Sequence, residues 1–231
     1  MEGVEALIRW NHPTLGVLAP DRFISIAESS NFIIPLGKWV IEQACRQSRA
    51  WQQAKLPRFS IAVNLSASQL ADPSLVGHVA DALRVSGVDP SLIELEITET
   101  AVMKNLDEAI IRLHALRALG VRLSIDDFGT GYSSLSYLKQ MPVDILKVDR
   151  SFVKDLPHNR DDLAITRAVI AMAHGLSMKV VAEGVEGKEQ FDSLRGEGCD
   201  EFQGWFCRPA MQSKDLEALL LRYGVVIPPD A

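Results

Sequence analysis

Short runs of hydrophobic and β-branched residues alternate with longer amphipathic runs along most of the chain. In the longer runs, apolar side chains recur at spacings of three and four, which is typical of helices with one buried face. The short runs predict strands near residues 4–9, 59–65, 93–98, 121–126, 144–149, 178–183 and 199–203. The longer runs predict helices near 38–54, 67–85, 105–120, 160–175 and 187–197.

The helix predicted over 105–120 has the clearest ends. Asn105 and Glu108 stand at the positions of a capping box, in which side chains satisfy free backbone N–H groups. Gly120 stands where a left-handed residue ends many helices. We therefore expect the helix to begin after Asn105 and to end at Gly120.

Strand–helix alternation repeated about seven times favours an α/β fold with a parallel sheet. An open doubly wound sheet is the alternative to a barrel, but no G-x-G-x-x-G dinucleotide fingerprint follows a strand. A barrel is favoured because its active site draws polar side chains from the carboxyl ends of several strands. Each predicted strand offers one such residue: Glu5, Asn64, Glu96, Asp126, Lys147, Glu183 and Gln203.

The first strand shows the expected two-residue period. Glu5, Leu7 and Arg9 share one face, and the apolar residues beside them face the other way. We expect the polar face to point into the barrel, where Arg9 could bind a phosphate group through two hydrogen bonds.

The strand-end residues include four carboxylates, and Asp127 adds another beside Asp126. Acids held this close would raise one another's pKa values unless cations neutralised them. Ligands that are all oxygen atoms favour magnesium or manganese, and two such ions could hold a phosphodiester. Consecutive strand residues face opposite ways, so both aspartates reach one cluster only if the chain bends, as Gly129 and Gly131 would permit.

Composition narrows the possible partners and compartment. The 231 residues are 47% hydrophobic and 23% charged, which excludes a disordered chain. A net charge of −6 argues against DNA, but not against a small phosphate ligand in a metal-lined pocket. Three widely spaced cysteines suit reduced thiols in the cytoplasm, and no apolar run is long enough to span a membrane.

Histidine and serine chemistry has little support. His12, in Asn-His-Pro, is expected to be a turn residue rather than a metal ligand, and no serine stands in a G-x-S-x-G elbow. Trp205 lies beside the predicted rim, where it could stack on a base.

An ordered set of motifs resembles the EAL domain family, bacterial phosphodiesterases for cyclic di-GMP. The resemblance runs to about Tyr223, and we expect a domain over residues 1–226 with a tail at 227–231. The motifs are Glu5-Ala6-Leu7-Ile8-Arg9-Trp10, Asn64-Leu65-Ser66, Glu96-Ile97-Thr98-Glu99, Asp126-Asp127-Phe128-Gly129-Thr130-Gly131-Tyr132-Ser133-Ser134, Lys147-Val148-Asp149-Arg150-Ser151-Phe152, Glu183-Gly184-Val185-Glu186 and Gln203-Gly204.

The resemblance implies a TIM-like (β/α)8 barrel and a role for each residue at its rim. Glu5, Asn64, Glu96 and Asp126 would hold a first metal ion, and Asp126, Asp127 and Glu183 a second, with Asp126 bridging. Lys147 would orient or help deprotonate the attacking water, and Gln203 would position a second water. The expected substrate contacts are Leu7, Arg9, Ser66, Glu186 and Pro209.

The resemblance also implies a reaction and partners. A metal-activated water would open cyclic di-GMP to linear pGpG, with Mg²⁺ or Mn²⁺ as cofactor and Ca²⁺ inhibitory. Glu99 would brace the loop from Asp127 to Tyr132, which in the family links metal binding to the dimer interface. A homodimer is expected, within a parent protein that carries sensor or GGDEF domains and that could be membrane-anchored.

Two departures from the family pattern keep alternatives open. The antiparallel strand that usually precedes the Glu5 strand is absent from the sequence, and the Gln203–Pro209 run is one residue shorter than usual. The chain could therefore be a non-catalytic cyclic di-GMP receptor, or an inactive fragment whose open sheet edge recruits a partner. Receptor-type members lose several metal ligands, whereas all of them are present here, which favours the enzyme.

Overall fold

The computed structural model describes residues 1–131 and 135–224, and every structural statement below concerns these residues. Tyr132, at the end of the loop that Glu99 is expected to brace, lies outside them, as do Ser133, Ser134 and the predicted tail at 227–231. The chain divides into two compact units. The first contains Met1–Ile97 and Ala101–Arg122, and the second contains Thr98–Thr100 and the chain from Leu123 onward.

Strands and helices alternate along the chain, as the hydrophobic pattern predicts. From the amino terminus the elements are β1 (Gly3–Glu5), β2 (Trp10–His12), β3 (Gly16–Leu18), α1 (Ile24–Ser29), α2 (Ile33–Gln53), β4 (Ser60–Leu65), α3 (Ala67–Ala71), α4 (Leu75–Ser86), β5 (Ile93–Thr98), α5 (Glu99–Met103) and α6 (Leu106–Ala118). They continue with β6 (Arg122–Phe128), α7 (Leu135–Leu138), β7 (Ile145–Val148), α8 (Arg150–Val153), α9 (Arg160–Gly175), β8 (Lys179–Ala182), α10 (Lys188–Gly196), β9 (Glu201–Phe202) and α11 (Ser213–Tyr223). Two short 3₁₀ helices cover Pro20–Arg22 and Pro90–Leu92.

The strands of the first unit are parallel, and their register aligns polar residues. β4 lies between β1 and β5, with Glu5 opposite Ala62 and Asn64 opposite Glu96. The alternate side chains of β4 and β5, such as Ile61 and Leu95, are buried in the core. The same alternation that buries one face therefore brings the polar residues to the other face.

The second unit repeats this arrangement with four parallel strands. β7 pairs with β6 and β8, and β8 pairs with β9. Leu146 and Val180 are fully buried, and Lys147 lies opposite Val181 on the other face. In this unit too, the carboxyl ends of neighbouring strands carry charged side chains on one face.

The strand predicted over residues 4–9 is wrong in its extent. The pairing of β1 with β4 ends at Glu5, where the N–H of Ala6 donates to Ala62 O at 2.8 Å. The chain then forms the antiparallel hairpin of β2 and β3, whose turn uses Gly16 at φ +73°. Because the two-residue period stops at Glu5, the prediction that Leu7 and Arg9 share its strand face is also wrong.

Two helix predictions need correction. Asn105 precedes α6, but its side chain makes no capping hydrogen bond, so the predicted capping box is wrong, whereas Gly120 ends the turn at φ +89° as expected. The helix predicted over 67–85 is two helices, α3 and α4. Asp72-Pro73 separates them, because the residue before proline avoids helical geometry and Asp72 instead accepts from Ser74 N at 2.9 Å.

Within the described residues, no helix combines the length and the apolar character that a membrane crossing requires.

Candidate metal centre

Three carboxylates of the second unit come together beside the carboxyl ends of its strands. Asp126 and Asp127 belong to β6, and Glu183 directly follows β8. One oxygen from each of the three lies within 4.8 Å of the others, and all three side chains are half-buried. This spacing is close enough for one cation to contact all three.

A β-bulge allows both aspartates to reach the cluster. β6 advances three residues from Ile125 to Phe128 while β7 advances two, from Leu146 to Val148. Asp127 is the residue with the left-handed backbone, at φ +54°, and its N–H donates to Asp126 Oδ1 at 3.0 Å. The predicted bend is confirmed, but it occurs at Asp127 itself.

Lys147 provides the positive charge of this cluster. Its side chain is 2% exposed, and Nζ lies 2.6 Å from Glu183 Oε1 and 3.6 Å from Asp126 Oδ1. Three carboxylates and one ammonium leave two negative charges, which one divalent cation would balance. Asp149 adds a further negative charge near Asp127, so the site favours a bound cation, and its oxygen ligands favour a hard one.

Asp127 is the acid that this arrangement leaves least compensated. Burial raises the pKa of its carboxyl group, and the nearby charges of Asp126 and Asp149 raise it further, while Lys147 partly opposes them. Asp149 stays in place because it caps α8, accepting from the N–H of Ser151 at 3.0 Å. A cation bound beside Asp127 would remove the repulsion, so the residues present fit a hard divalent metal.

Glu99 contacts the loop that follows Asp127. Its carboxylate is buried, and Oε2 accepts from the N–H of Gly129 at 3.2 Å. A Cβ atom on Gly131 would lie 2.7 Å from Glu99 Oε1, so the loop backbone packs directly on this side chain. In the part of the loop up to Gly131, Glu99 therefore makes contacts of the kind that the expected bracing role would need.

Backbone hydrogen bonds join the loops that follow β8 and β9. The N–H of Val185 donates to Gln203 O at 3.0 Å, and the N–H of Phe206 donates to Val185 O at 2.9 Å. Gly204 is required here, because a Cβ at its φ of +153° would lie 2.2 Å from Val185 O. The predicted site residues Glu183 and Gln203 are therefore held in one compact piece of structure.

A second group of oxygen ligands lies in the first unit. Asn64 Nδ2 donates to Glu5 Oε1 at 2.6 Å, and Glu96 lies beside Asn64 in register on β5 with 2% of its surface exposed. These are three of the four residues expected at the first metal ion. Their amide and carboxylate oxygens also fit a hard cation.

Four of the expected substrate contacts are described by their exposure and hydrogen bonds. Ser66 caps α3, accepting from the N–H of Gln69 at 3.2 Å, so its hydroxyl already has a structural role. Leu7 is 43% exposed, and Arg9 is exposed with Nη1 donating to Ile8 O at 2.9 Å. Pro209 is exposed as well. The substrate contacts of these residues remain predictions.

His12 is the last residue of β2 rather than part of the turn that was predicted, although its ring contacts that turn. Its Nδ1 lies 3.2 Å from the backbone N of both Thr14 and Leu15, which is compatible with hydrogen bonds across the hairpin turn. Trp205 is 78% exposed, and its stacking on a base remains a prediction.

Two further residues contact Glu186 and were not predicted from the sequence. Arg150 forms an ion pair with Glu186 at 2.6 Å, and Gln190 accepts from the N–H of Glu186 at 2.7 Å. Gln190 could have been found from its position three residues after Gly187, because glutamine at the third helical position often bonds to free N–H groups preceding the helix. The Arg150–Glu186 pair joins α8 to the loop that follows β8 and had no sequence signal.

Comparison with known sequences agrees with this geometry. A family model described as EAL domain matches residues 1–210. The cyclic di-GMP phosphodiesterase NbdA of Pseudomonas aeruginosa is 49% identical over 220 residues, covering 95% of this chain and 28% of that protein. The bifunctional diguanylate cyclase/cyclic di-GMP phosphodiesterase MucR of the same species is 45% identical, covering 94% and 32%. The chain thus spans less than a third of either relative.

Solved structures show the same fold. The PaMucR phosphodiesterase in complex with c-di-GMP has a TM-score of 0.90 at 45% identity, covering 94% of this chain and 87% of that one. The EAL enzyme Bd1971 with cAMP and cyclic-di-GMP bound has a TM-score of 0.88 at 35% identity, covering 94% and 59%. The expected TIM-like α/β fold is confirmed by these likenesses.

Proposed function

This chain belongs to the EAL domain family, and from that premise we propose that it hydrolyses one phosphodiester bond of cyclic di-GMP to give linear pGpG. The observation that carries the proposal is the carboxylate cluster with the buried Lys147 at 2.6 Å from Glu183. An acid cluster on a protein surface would not need a buried ammonium group. The proposed substrate is taken from the names of two relatives, which are both called cyclic di-GMP phosphodiesterases.

The proposed ligands of the second metal ion are Asp126, Asp127 and Glu183, and those of the first include Glu5, Asn64 and Glu96. Mg²⁺ or Mn²⁺ bound to such ligands would supply positive charge that holds the phosphate oxygens and lowers the pKa of the attacking water. Ca²⁺ is expected to inhibit, because it is larger and less strictly octahedral than Mg²⁺.

Lys147 orients the attacking water in this proposal. Its ammonium group is buried, so its direction is fixed by Glu183 at 2.6 Å and Asp126 at 3.6 Å. An N–H pointing out of this pair can hold the oxygen of the water and stabilise negative charge that develops on the phosphate. Gln203, bonded through its backbone to the loop of Glu183, positions a second water.

Substrate binding is assigned to residues around these acids. Arg9 contacts a phosphate oxygen in the proposal, and Leu7, Ser66, Glu186 and Pro209 complete the contacts. Glu99 holds the loop after Asp127 by accepting a hydrogen bond from the N–H of Gly129. Such fixed positions matter because a displacement of about 1 Å can slow a reaction about a hundredfold.

We extend the proposal to the setting of the domain. The relatives are longer, and one of them is named as a diguanylate cyclase as well, which supports further sensor or GGDEF domains in a parent protein. A homodimer and a cytoplasmic location belong to the same proposal.

Burial raises the pKa of Cys45 to about 11 and that of Cys199 to about 12, so both thiols stay protonated and unreactive.

Product analysis tests the activity directly. The chain is incubated with cyclic di-GMP and Mg²⁺ or Mn²⁺, and the nucleotides are separated by chromatography. We expect linear pGpG with either metal and none with EDTA. Glu183→Gln should lower kcat at least about a hundredfold. Glu201→Gln, which alters a carboxylate at the start of β9 that pairs with Lys179 at the start of β8, should leave kcat nearly unchanged.

The outcome separates the two candidate functions. Cyclic di-GMP that binds but stays intact with both metals would refute the enzyme and support the receptor. Glu183→Gln with wild-type turnover would refute the assignment of the metal ligands.

A further inference from the structure

Glu186, a proposed substrate contact, is held from two sides. Arg150, the first residue of α8, places Nη2 2.6 Å from Glu186 Oε1. Gln190, in the first turn of α10, accepts with Oε1 from the N–H groups of Glu186 and Gly187 at 2.7 and 3.0 Å. One residue thus holds the carboxylate, and the other holds the backbone that carries it.

Gln190 also links this loop to α8. Its Nε2 donates to the carbonyl of Lys154 at 2.9 Å, just after α8 ends. The amide therefore uses both of its ends, since its oxygen accepts two hydrogen bonds from the loop. The two ends of α8 contact the same loop, one through Arg150 and the other through Gln190.

The aliphatic part of the Arg150 side chain packs closely on Gly184, which has no side chain to prevent the contact. A Cβ atom on Gly184 would lie 2.3 Å from Arg150 Cγ and 2.8 Å from its Cβ, and the backbone there has φ +68°. The aliphatic stem therefore packs directly on the loop backbone. This packing removes much of the side-chain freedom that usually weakens an ion pair on the surface.

The Arg150–Glu186 pair is poorly suited to stabilising the fold. Its side chains are 62% and 45% exposed, and ion pairs with such exposure contribute little to stability. A fixed but exposed carboxylate is useful when it must meet a ligand in one orientation. The geometry points to a role in presenting Glu186.

We propose that Arg150 and Gln190 are positioning residues that hold Glu186 in the orientation in which it contacts the substrate. This proposal rests on the proposed function for the identity of the substrate. Neither residue needs to touch cyclic di-GMP. Because they act on a binding contact rather than on the acid cluster, their loss should weaken substrate binding and spare the chemical step.

The test compares Arg150→Met, which keeps most of the stem, and Gln190→Ala with a matched control. Arg167→Met removes another arginine with a 62% exposed side chain, which pairs at 2.6 Å with Glu197 at the carboxyl end of α10, the end opposite Gln190. KM and kcat are measured with Mn²⁺, and binding of cyclic di-GMP is measured by calorimetry with Ca²⁺. Hydrogen exchange is followed at the amides of Glu186 and Gly187.

We expect Arg150→Met and Gln190→Ala to raise KM and the dissociation constant about fivefold each, as for one lost hydrogen-bonded contact, with kcat within about twofold. Arg150→Lys should recover most of the affinity, and Arg167→Met should match the wild type. Exchange at the two amides should quicken about tenfold in Gln190→Ala, because their acceptor is gone.

Several outcomes would overturn the proposal. Unchanged KM in both variants, or a fall in kcat at constant KM, would mean that these residues do not act through Glu186. If the wild type neither binds nor cleaves cyclic di-GMP, the proposed function fails and so does the presentation of Glu186 to this substrate. Exchange at the two amides would still show separately whether Gln190 holds the loop, and an unchanged rate would remove that part as well.

Discussion

Replacing Lys147 by methionine tests whether the acid cluster depends on a buried cation. Methionine has a similar length and no charge, so the change removes the ammonium group and leaves the packing nearly intact. Asp126 and Glu183 then lose their counter-charge at 3.6 and 2.6 Å. The metal-free variant must therefore keep three carboxylates together without compensation.

The size of the effect follows from the burial of the pair. Removing one partner of a buried ion pair costs about 3–5 kcal/mol of folding free energy. The carboxylates are 13% and 18% exposed, so water reaches them and the lower end, about 3 kcal/mol, applies. In a chain of this size, that loss corresponds to a Tm lower by about 6–12 °C.

Urea unfolding in EDTA and in Mn²⁺ measures both parts of the argument. In EDTA, Lys147→Met should be less stable by about 3 kcal/mol. In saturating Mn²⁺ the deficit should fall below about 1 kcal/mol, because the metal replaces the missing charge and binding stabilises the folded state. Lys179→Met is the control, since that lysine is 51% exposed in its pair with Glu201.

Two results would refute this reasoning. A variant as stable as the wild type in EDTA would mean that the lysine does not compensate the acids. A deficit of equal size in EDTA and in Mn²⁺ would mean that the metal does not take over the charge of the lysine, and a wild type that Mn²⁺ does not stabilise would mean that the cluster does not bind the metal.

Three further changes test the surrounding structure. Burial raises the pKa of Asp200, but hydrogen bonds from His174 and a backbone N–H lower it overall. Asp200→Asn should therefore cost about 0.5–1 kcal/mol at pH 7 after solvent screening. This stability is present above the unfolded pKa near 4 and is lost as the pH falls further, so the deficit in urea unfolding should shrink from pH 7 to acid pH, and a deficit that does not change with pH would contradict the argument. Glu99→Ala should cost about 1–3 kcal/mol and speed hydrogen exchange at Gly129, whose N–H loses its acceptor; unchanged exchange would show that the contact is not formed. Gly184→Ala should lower stability by about 1–2 kcal/mol because its left-handed backbone disfavours a Cβ, and wild-type thermal stability would show that the loop can relax.

The hydrophobic pattern predicts the buried strands best. β4 and β5 lie within a residue of their predicted bounds, because they pair with each other along their length and bury their apolar side chains. The start of the chain is different. Residues 4–9 alternate as a strand would, yet pairing with β4 ends at Glu5. Alternation of apolar and polar residues indicates which side chains could share a face, whereas the length of a strand depends on the neighbouring strand with which it pairs.

Helix ends show the same limit. Asp72-Pro73 divides the apolar pattern of 67–85 into α3 and α4, and proline gives a local signal for that break. Asn105 has the residue type of a cap but not the geometry, at φ −151° and ψ +80°. Capping depends on how the chain enters the helix, which the contacts of the preceding residues decide.

The grouping of Asp126, Asp127 and Glu183 was predictable because each lies near the carboxyl end of a strand, and parallel strands within one unit bring those ends together. The long-range pairs were not predictable. Arg150 and Glu186 are separated by 36 positions in the chain, and nothing local to either one indicates the other. Such a pair depends on how α8, which carries Arg150, packs against the loop that carries Glu186.

The bend that brings both aspartates to one cluster was predicted correctly but for the wrong reason. It lies in the segment Asp126-Asp127-Phe128-Gly129-Thr130-Gly131. The glycines were expected to provide the bend, but the extra residue of β6 and the left-handed Asp127 provide it before Gly129 is reached. The glycines serve close packing instead. A Cβ on Gly129 would lie 2.9 Å from the Phe152 ring, and one on Gly131 would lie 2.7 Å from Glu99. Aspartate tolerates the left-handed region better than most residues, so the residue that turns the strand can also be the residue that offers the second carboxylate.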